Sequence, residues 1–136
     1  MAYETLVAEI REVFNELASR GDLTLGMLVS NPWAPDGRWD VVASATWMDD
    51  FSEKKAIELI IRLLRKHVRK GNWPSVFKVS VLKTDDPFVR SMYRLFPDTS
   101  SDVGHRINNL VIEDIEVPSG IVFESHQPKA LSGVGR

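Results

Sequence analysis

Apolar side chains recur with two different periods along the chain, and these periods predict its secondary structure. Residues 39–48 alternate apolar and polar positions, so a strand here would place Trp39, Val41, Ala43, Ala45 and Trp47 on one face. Residues 52–70 instead repeat apolar positions every three or four residues, which predicts a long helix capped by a serine and ended by a glycine at position 71. The apolar stripe predicted for this helix comprises Ile57, Ile60, Ile61, Leu64 and Val68. A strand that leads into a long helix is therefore predicted at the centre of the fold.

The rest of the chain predicts two more helices and four more strands. Residues 3–19 predict an amphipathic helix with Glu9, Arg11, Glu12 and Glu16 facing away from its apolar stripe. After residues 86–87, a second short helix is predicted with a buried stripe of Phe88, Val89, Met92, Leu95 and Phe96. The predicted strands are 23–30, 76–83, 110–117 and 121–125, with a turn at 118–120 and a polar loop at 98–108. The order α-β-β-α-β-α-β-β predicts an α+β domain: a mostly antiparallel sheet of about five strands with helices packed on one face.

Length and composition predict one domain. The chain has 136 residues, 43% of them hydrophobic, and we expect residues 1–126 to fold together and residues 127–136 to form a flexible tail. It contains no cysteine, which excludes disulfides and thiolate zinc sites. Charged residues interrupt the apolar pattern near the N-terminus, and no apolar stretch is long enough to span a bilayer. These features predict a soluble, cytoplasmic protein without a membrane partner.

Charge is distributed unevenly along the chain. The formal net charge is −2, yet residues 52–70 carry seven basic and two acidic side chains. Basic residues in the last turns of a helix complement its dipole, and Lys54, Glu58 and Arg62 have the spacing of a solvated ion-pair ladder. The net charge argues against a nucleic-acid partner, with binding through this basic helix as an alternative.

Acidic residues and histidines could form a metal site, which is a second alternative function. The candidate ligands are Asp49, Asp50, Asp85, Asp86, His105 and His126. Both acidic pairs follow a predicted strand and precede a predicted helix, where aspartate commonly caps the helix or forms the turn. The chain has no His-Glu-x-x-His segment, no Gly-x-Ser-x-Gly segment and no glycine-rich phosphate-binding loop. The first interpretation is therefore that these aspartates cap helices or form turns, and the alternative is that they belong to a metal-dependent hydrolase.

An aromatic side chain in a loop gives the leading functional hypothesis. Trp33 lies between two prolines in the predicted loop 31–38, where no periodic pattern requires burial, and Arg38 ends that loop. An exposed tryptophan on a proline-stiffened loop is a typical interaction anchor, although the loop could instead fold back and bury Trp33 on the core. We therefore expect a small non-catalytic binding or sensor-like module, with no cofactor, that recognises a partner protein or small ligand through Trp33 and Arg38. The sequence does not specify an oligomeric state.

Overall fold

The computed structural model describes residues 2–30 and 38–128, except for the side chains of residues 2–4 and 77. Its helices and strands are α1 (Ala2–Arg20), β1 (Leu25–Ser30), β2 (Trp39–Ser44), α2 (Glu53–His67), β3 (Val76–Val81), α3 (Pro87–Leu95), β4 (Thr99–Ile112) and β5 (Ile115–Ser125). Two short 3₁₀ segments, Thr46–Met48 and Lys70–Ser75, precede α2 and β3. The predicted α+β class and element order are confirmed. None of the described helices is long and apolar enough to cross a membrane.

The five strands form one mixed sheet in the order β3-β2-β1-β5-β4. Neighbouring strands are antiparallel except β2 and β3, which run parallel because α2 connects them. The predicted hairpin of β1 and β2 is confirmed. The two edges of the sheet are β3 and β4.

Helices cover both faces of this sheet, so the prediction that they pack on one face is wrong. The core under α1 and α2 includes Leu28 and Val41, whereas the core under α3 includes Leu25, Met27 and Val42. A central strand covered on both faces buries consecutive residues, and β1 does so. The five alternating residues of segment 39–48 all contact the core under α1 and α2, as predicted, although the strand ends at Ser44.

Helix α2 begins as predicted, but its C-terminus differs. The Ser52 hydroxyl accepts the Lys55 N–H at 3.1 Å, whereas the helix ends at His67 and not at the glycine. The carboxylate of Glu9 accepts the Arg69 N–H at 3.1 Å, and Asn72 Nδ2 donates to it at 2.8 Å. This carboxylate holds the segment after the helix against α1. Glu9 is buried by these contacts. Arg11 is buried as well, so the prediction that both residues face away from the core is wrong.

Residues 98–108 do not form a loop, because most of them belong to the long edge strand β4. Among the described strands, β5 alone pairs with β4, and most side chains of β4 are exposed, so its sequence lacks the apolar alternation of a half-buried strand. The turn between the last two strands lies at Glu113 and Asp114, whose φ angles of 51° and 65° are those of a type I′ turn. The predicted turn at 118–120 lies inside β5 and is also wrong.

Helix α3 begins and packs largely as predicted. Asp86 Oδ1 accepts the Phe88 N–H at 2.8 Å, and a proline occupies the first turn. The predicted buried stripe is wrong at Leu95, which is exposed, while Tyr93 is buried instead. Residues 127–136 are predicted to form a flexible tail. Residues 129–136 lie outside the described part of the chain, so the flexible tail stays a prediction.

Candidate partner-binding groove

An apolar groove runs between α2 and the edge strand β3. We call it the α2–β3 groove; its volume is about 320 Å³, and it is lined by Ile57, Ile61, Leu64, Arg65, Val68, Trp73, Val76, Lys78 and Val79. Seven of these nine side chains are apolar or aromatic. The groove is an apolar surface that the described residues leave open beside a strand edge.

The groove exists because the apolar arc of α2 is wider than the surface that the sheet and α1 can cover. Ala56, Leu59, Ile60, Leu63 and Leu64 are the buried residues of this helix. Ile57 and Ile61 lie on the flank of that arc and are only half-buried, although both belong to the predicted buried stripe. A helix with apolar side chains over so much of its circumference requires a contact beyond the sheet.

Trp73 closes one end of the groove in a fixed orientation. Its indole Nε1 donates a hydrogen bond to the Val68 carbonyl oxygen at 2.9 Å. With this polar atom satisfied, the residue as a whole remains 39% exposed. A tryptophan that is anchored by its N–H and exposes its ring loses little conformational entropy when a partner covers it.

The charged side chains that line the groove have the same sign. Arg65 of α2 and Lys78 of β3 are both basic and exposed. No acidic residue lines this groove among the described residues. Its electrostatic complement is therefore an apolar ligand that carries negative charge.

A polar cluster on β5, three strands away from β3 in the sheet, has a different character. Glu124 Oε2 lies 2.8 Å from Arg11 Nη2 and accepts the Ser100 hydroxyl at 2.8 Å, while Glu124 Oε1 lies 2.7 Å from His126 Nε2. Burial raises the pKa of Glu124, but hydrogen bonds from His126, Ser100 and Arg11 outweigh it and hold that pKa below its usual range. Both carboxylate oxygens have partners, so the cluster ties α1 to β4 and β5 through a charged group that stays ionised.

The structure separates the candidate metal ligands of the sequence. Asp49 accepts the N–H and hydroxyl of Thr84 at 3.0 and 2.5 Å, and Asp86 caps α3. Asp50 and Asp85 are exposed. The His105 and Phe96 rings contact each other at a tilt of 57° with their centroids 5.6 Å apart, and His126 contacts Glu124. Within residues 2–30 and 38–128, no three aspartate, glutamate or histidine side chains converge in a way that could hold a metal ion.

The two residues predicted to bind a partner have different outcomes. Trp33 lies outside the described residues. Arg38 is half-buried directly before β2, at the end of the sheet where Trp39 pairs with Val76. Val76 also lines the α2–β3 groove, so Arg38 lies near that end of it. The role of both residues stays a prediction.

No protein-family model, curated protein or solved structure matches this chain.

Sequence reasoning missed the groove for an identifiable reason. The three- and four-residue repeat predicts that Ile57 and Ile61 are buried, and Trp73 follows the helix without any periodic signal. The available signal was the width of the apolar arc, since residues 56 to 64 contain seven apolar positions out of nine. Such an arc exceeds the stripe that one packed face of a surface helix needs.

Proposed function

We propose that this protein is a non-catalytic module that binds a partner protein through the α2–β3 groove. One observation carries the proposal: an exposed apolar groove that combines an anchored tryptophan with two basic side chains at its rim. Binding surfaces are commonly built from an aromatic anchor with arginine nearby, and their partners cover the apolar centre while charges at the rim select them.

The lining of the groove favours a protein over a small ligand. Pockets for small molecules usually add a few inward-pointing polar groups that fix the orientation of the ligand. The polar groups of this groove are two long exposed side chains, Arg65 and Lys78, and the indole N–H of Trp73 is already bonded. A flexible basic rim beside an apolar centre suits a peptide segment that carries carboxylates.

A peptide-display selection against the immobilised protein tests the proposal. We expect enriched peptides to bind in fluorescence anisotropy and to lose at least about tenfold in affinity on Ile61→Glu, which places a charge in the groove. A glutamate at this position precedes Arg65 by four residues, a spacing that supports the helix. The matched control is Val103→Glu, which makes the same kind of change at a 79% exposed position of β4.

Three results would contradict the proposal, and the first two concern the peptides themselves. One is a selection that yields no binding peptide. The other is a set of peptides that bind Ile61→Glu as well as the wild type, provided that the variant melts like the wild type. Equal losses with Val103→Glu would likewise show that the effect is not located in the groove.

A further inference from the structure

One edge of the sheet is open beside the proposed binding groove. Strand β3 pairs only with β2, and no other strand in residues 2–30 and 38–128 pairs with its outer edge. The Leu82 N–H donates to the Ala43 carbonyl of β2 at 3.0 Å. Because backbone groups alternate in direction along a strand, the N–H and C=O groups of Val79 and Val81 point away from β2. These groups can form a ladder with a further strand.

Binding surfaces flank this edge on both faces of the sheet. On the face of α1 and α2, the groove is bounded by Val76 and Val79 of β3. On the face of α3, a second groove of about 250 Å³ is bounded by Lys78 and Ser80 of the same strand. Lys78 lines both grooves. A strand placed beside β3 would therefore direct alternate side chains toward the two grooves.

The two faces differ in chemistry and so define a pattern for the added strand. The face of α2 offers an apolar surface with Trp73 and Ile61, which suits apolar side chains. On the opposite face, the second groove is lined by Lys78 together with Asp40 and Asp86, and Asp40 lies across from Lys78 on β2. Lys78 is the charged residue that β3 itself contributes to this groove, so a carboxylate placed across from it on the added strand would form a favourable cross-strand pair. The matching sequence alternates apolar and acidic residues.

We propose that the partner segment is an extended, alternating apolar and acidic peptide that adds to the sheet as a strand beside β3. This inference rests on the proposed function and specifies the conformation and chemistry of its ligand. Backbone hydrogen bonds to Val79 and Val81 supply part of the affinity, and the side chains in the α2–β3 groove supply the specificity. Arg65 and Lys78 select against segments that lack negative charge.

A second copy of this chain fits the same edge poorly. A symmetric pair of β3 edges would bring the same surface of both copies together. Lys78 and Arg65 would then approach the same basic residues of the other copy, and like charges across paired strands are destabilising.

Labelled synthetic peptides test the inference directly. The probe is a short peptide of alternating valine and glutamate, compared with a scrambled peptide of the same composition and with a peptide of alternating valine and lysine. We expect the alternating acidic peptide to bind at least about tenfold more tightly than either comparison peptide in fluorescence anisotropy. Peptides selected by display should show the same period of two residues in their apolar positions.

Backbone changes on both sides separate strand addition from other binding modes. Only every second N–H group of the added peptide faces β3. N-methylation of the residues whose N–H groups face β3 should therefore abolish binding, whereas N-methylation of the residues between them should be tolerated. In the protein, Val81→Pro removes an outward N–H without removing a bond to β2, and proline is tolerated at such edge positions. We expect it to weaken binding at least about tenfold relative to Val81→Ala, which keeps the N–H.

Lys78→Glu should reverse the preference from the acidic to the basic peptide.

The outcomes distinguish this inference from the proposed function. Selected peptides that depend on Ile61 but tolerate N-methylation in both phases, or that carry apolar residues every three or four positions, would overturn strand addition and leave the groove intact as a binding site. A failure of all peptides, selected and designed, would overturn both proposals. Concentration-dependent dimers in sedimentation that Val81→Pro abolishes would make a second copy the occupant and overturn the inference of a foreign segment.

Discussion

At the scale of single residues, the chain uses buried charge to fix its elements. Arg11 lies in the middle of α1, and its guanidinium also donates to the Ser101 carbonyl at 3.0 Å and the Phe123 carbonyl at 3.3 Å. Its ion pair with Glu124 thus connects α1 to both strands of the last hairpin. A buried pair of this kind stabilises little relative to apolar residues, but the loss of one partner leaves an uncompensated charge.

The contribution of Glu124 to stability should depend on pH. Glu124→Gln should lower the free energy of unfolding by about 3 kcal/mol at neutral pH, because the charge of Arg11 stays buried. Since the pKa of Glu124 is lowered in the folded state, its contribution is fully present above the unfolded pKa of about 4.3 and is lost as pH falls through the lower folded value. The difference between wild type and variant in urea denaturation should therefore shrink below about pH 4.5.

The matched control is Glu116→Gln, which makes the same substitution at an exposed position of the same strand. We expect no measurable change from it at any pH. A loss that is equal for both variants, or a loss from Glu124→Gln that stays constant down to pH 3, would contradict the role given to this carboxylate.

At the scale of elements, Asp86 should stabilise α3 as its N-terminal cap. Asp86→Ala should lower stability by about 1 kcal/mol, because the Phe88 N–H loses its acceptor. Asp85→Ala is the control, since Asp85 is exposed and forms no cap. Thermal melts of both variants measure the difference. Equal melting temperatures would mean that the cap of α3 is energetically irrelevant.

The turn between β4 and β5 contains backbone strain that can be removed. Asp114 adopts a φ of 65°, which costs a non-glycine residue about 1 kcal/mol or more. Asp114→Gly should therefore stabilise the protein by about 1 kcal/mol in urea denaturation. Asp85→Gly should instead be neutral or destabilising, because Asp85 is not among the described residues with positive φ. A loss of stability from Asp114→Gly would contradict a type I′ turn at this position.

Two neighbouring residues of helix α2 distinguish the core from the α2–β3 groove. Leu63 is buried, whereas Ile61 is half-buried in the groove. Leu63→Ala should cost about 2 to 5 kcal/mol, the range for a fully buried leucine, and Ile61→Ala should cost less than about 1 kcal/mol. Chemical denaturation of the two variants measures the contrast. Similar losses would mean that Ile61 belongs to the core and that the groove is not an open surface.

At the scale of the whole molecule, sequence patterns predicted the elements with strong periodicity and missed those defined by their neighbours. The alternation of residues 39–48 and the caps at Ser52 and Asp86 depend on local geometry, and the structure confirms them. Strand β4 and the groove depend on position at a sheet edge, which leaves no periodic signal. The burial of Glu9 likewise depends on partners about sixty residues away in the chain.

Ion pairs within the molecule compensate part of the positive charge of segment 52–70. Segment 52–70 carries a net charge of +5, yet two of its seven basic side chains form ion pairs with acidic residues of α1. Lys66 Nζ lies 2.8 Å from Glu16, and Arg69 Nε lies 3.5 Å from Glu9. Hydrogen bonds from Lys66 and then from His67 lower the pKa of Glu16 to about 2. The basic side of α2 is therefore partly neutralised within the protein.

This arrangement predicts how the molecule discriminates between acidic partners. A nucleic acid gains affinity from many phosphate contacts, and such binding falls steeply with salt. With Lys66 and Arg69 engaged, too few basic groups remain in a row, so labelled DNA and RNA should not bind with sub-micromolar affinity at physiological ionic strength. The acidic peptide should keep most of its affinity there, because the apolar groove contributes a salt-insensitive part. Sub-micromolar RNA or DNA binding that is lost on reversing Arg62, Arg65 and Arg69 would instead identify the basic helix as a nucleic-acid interface.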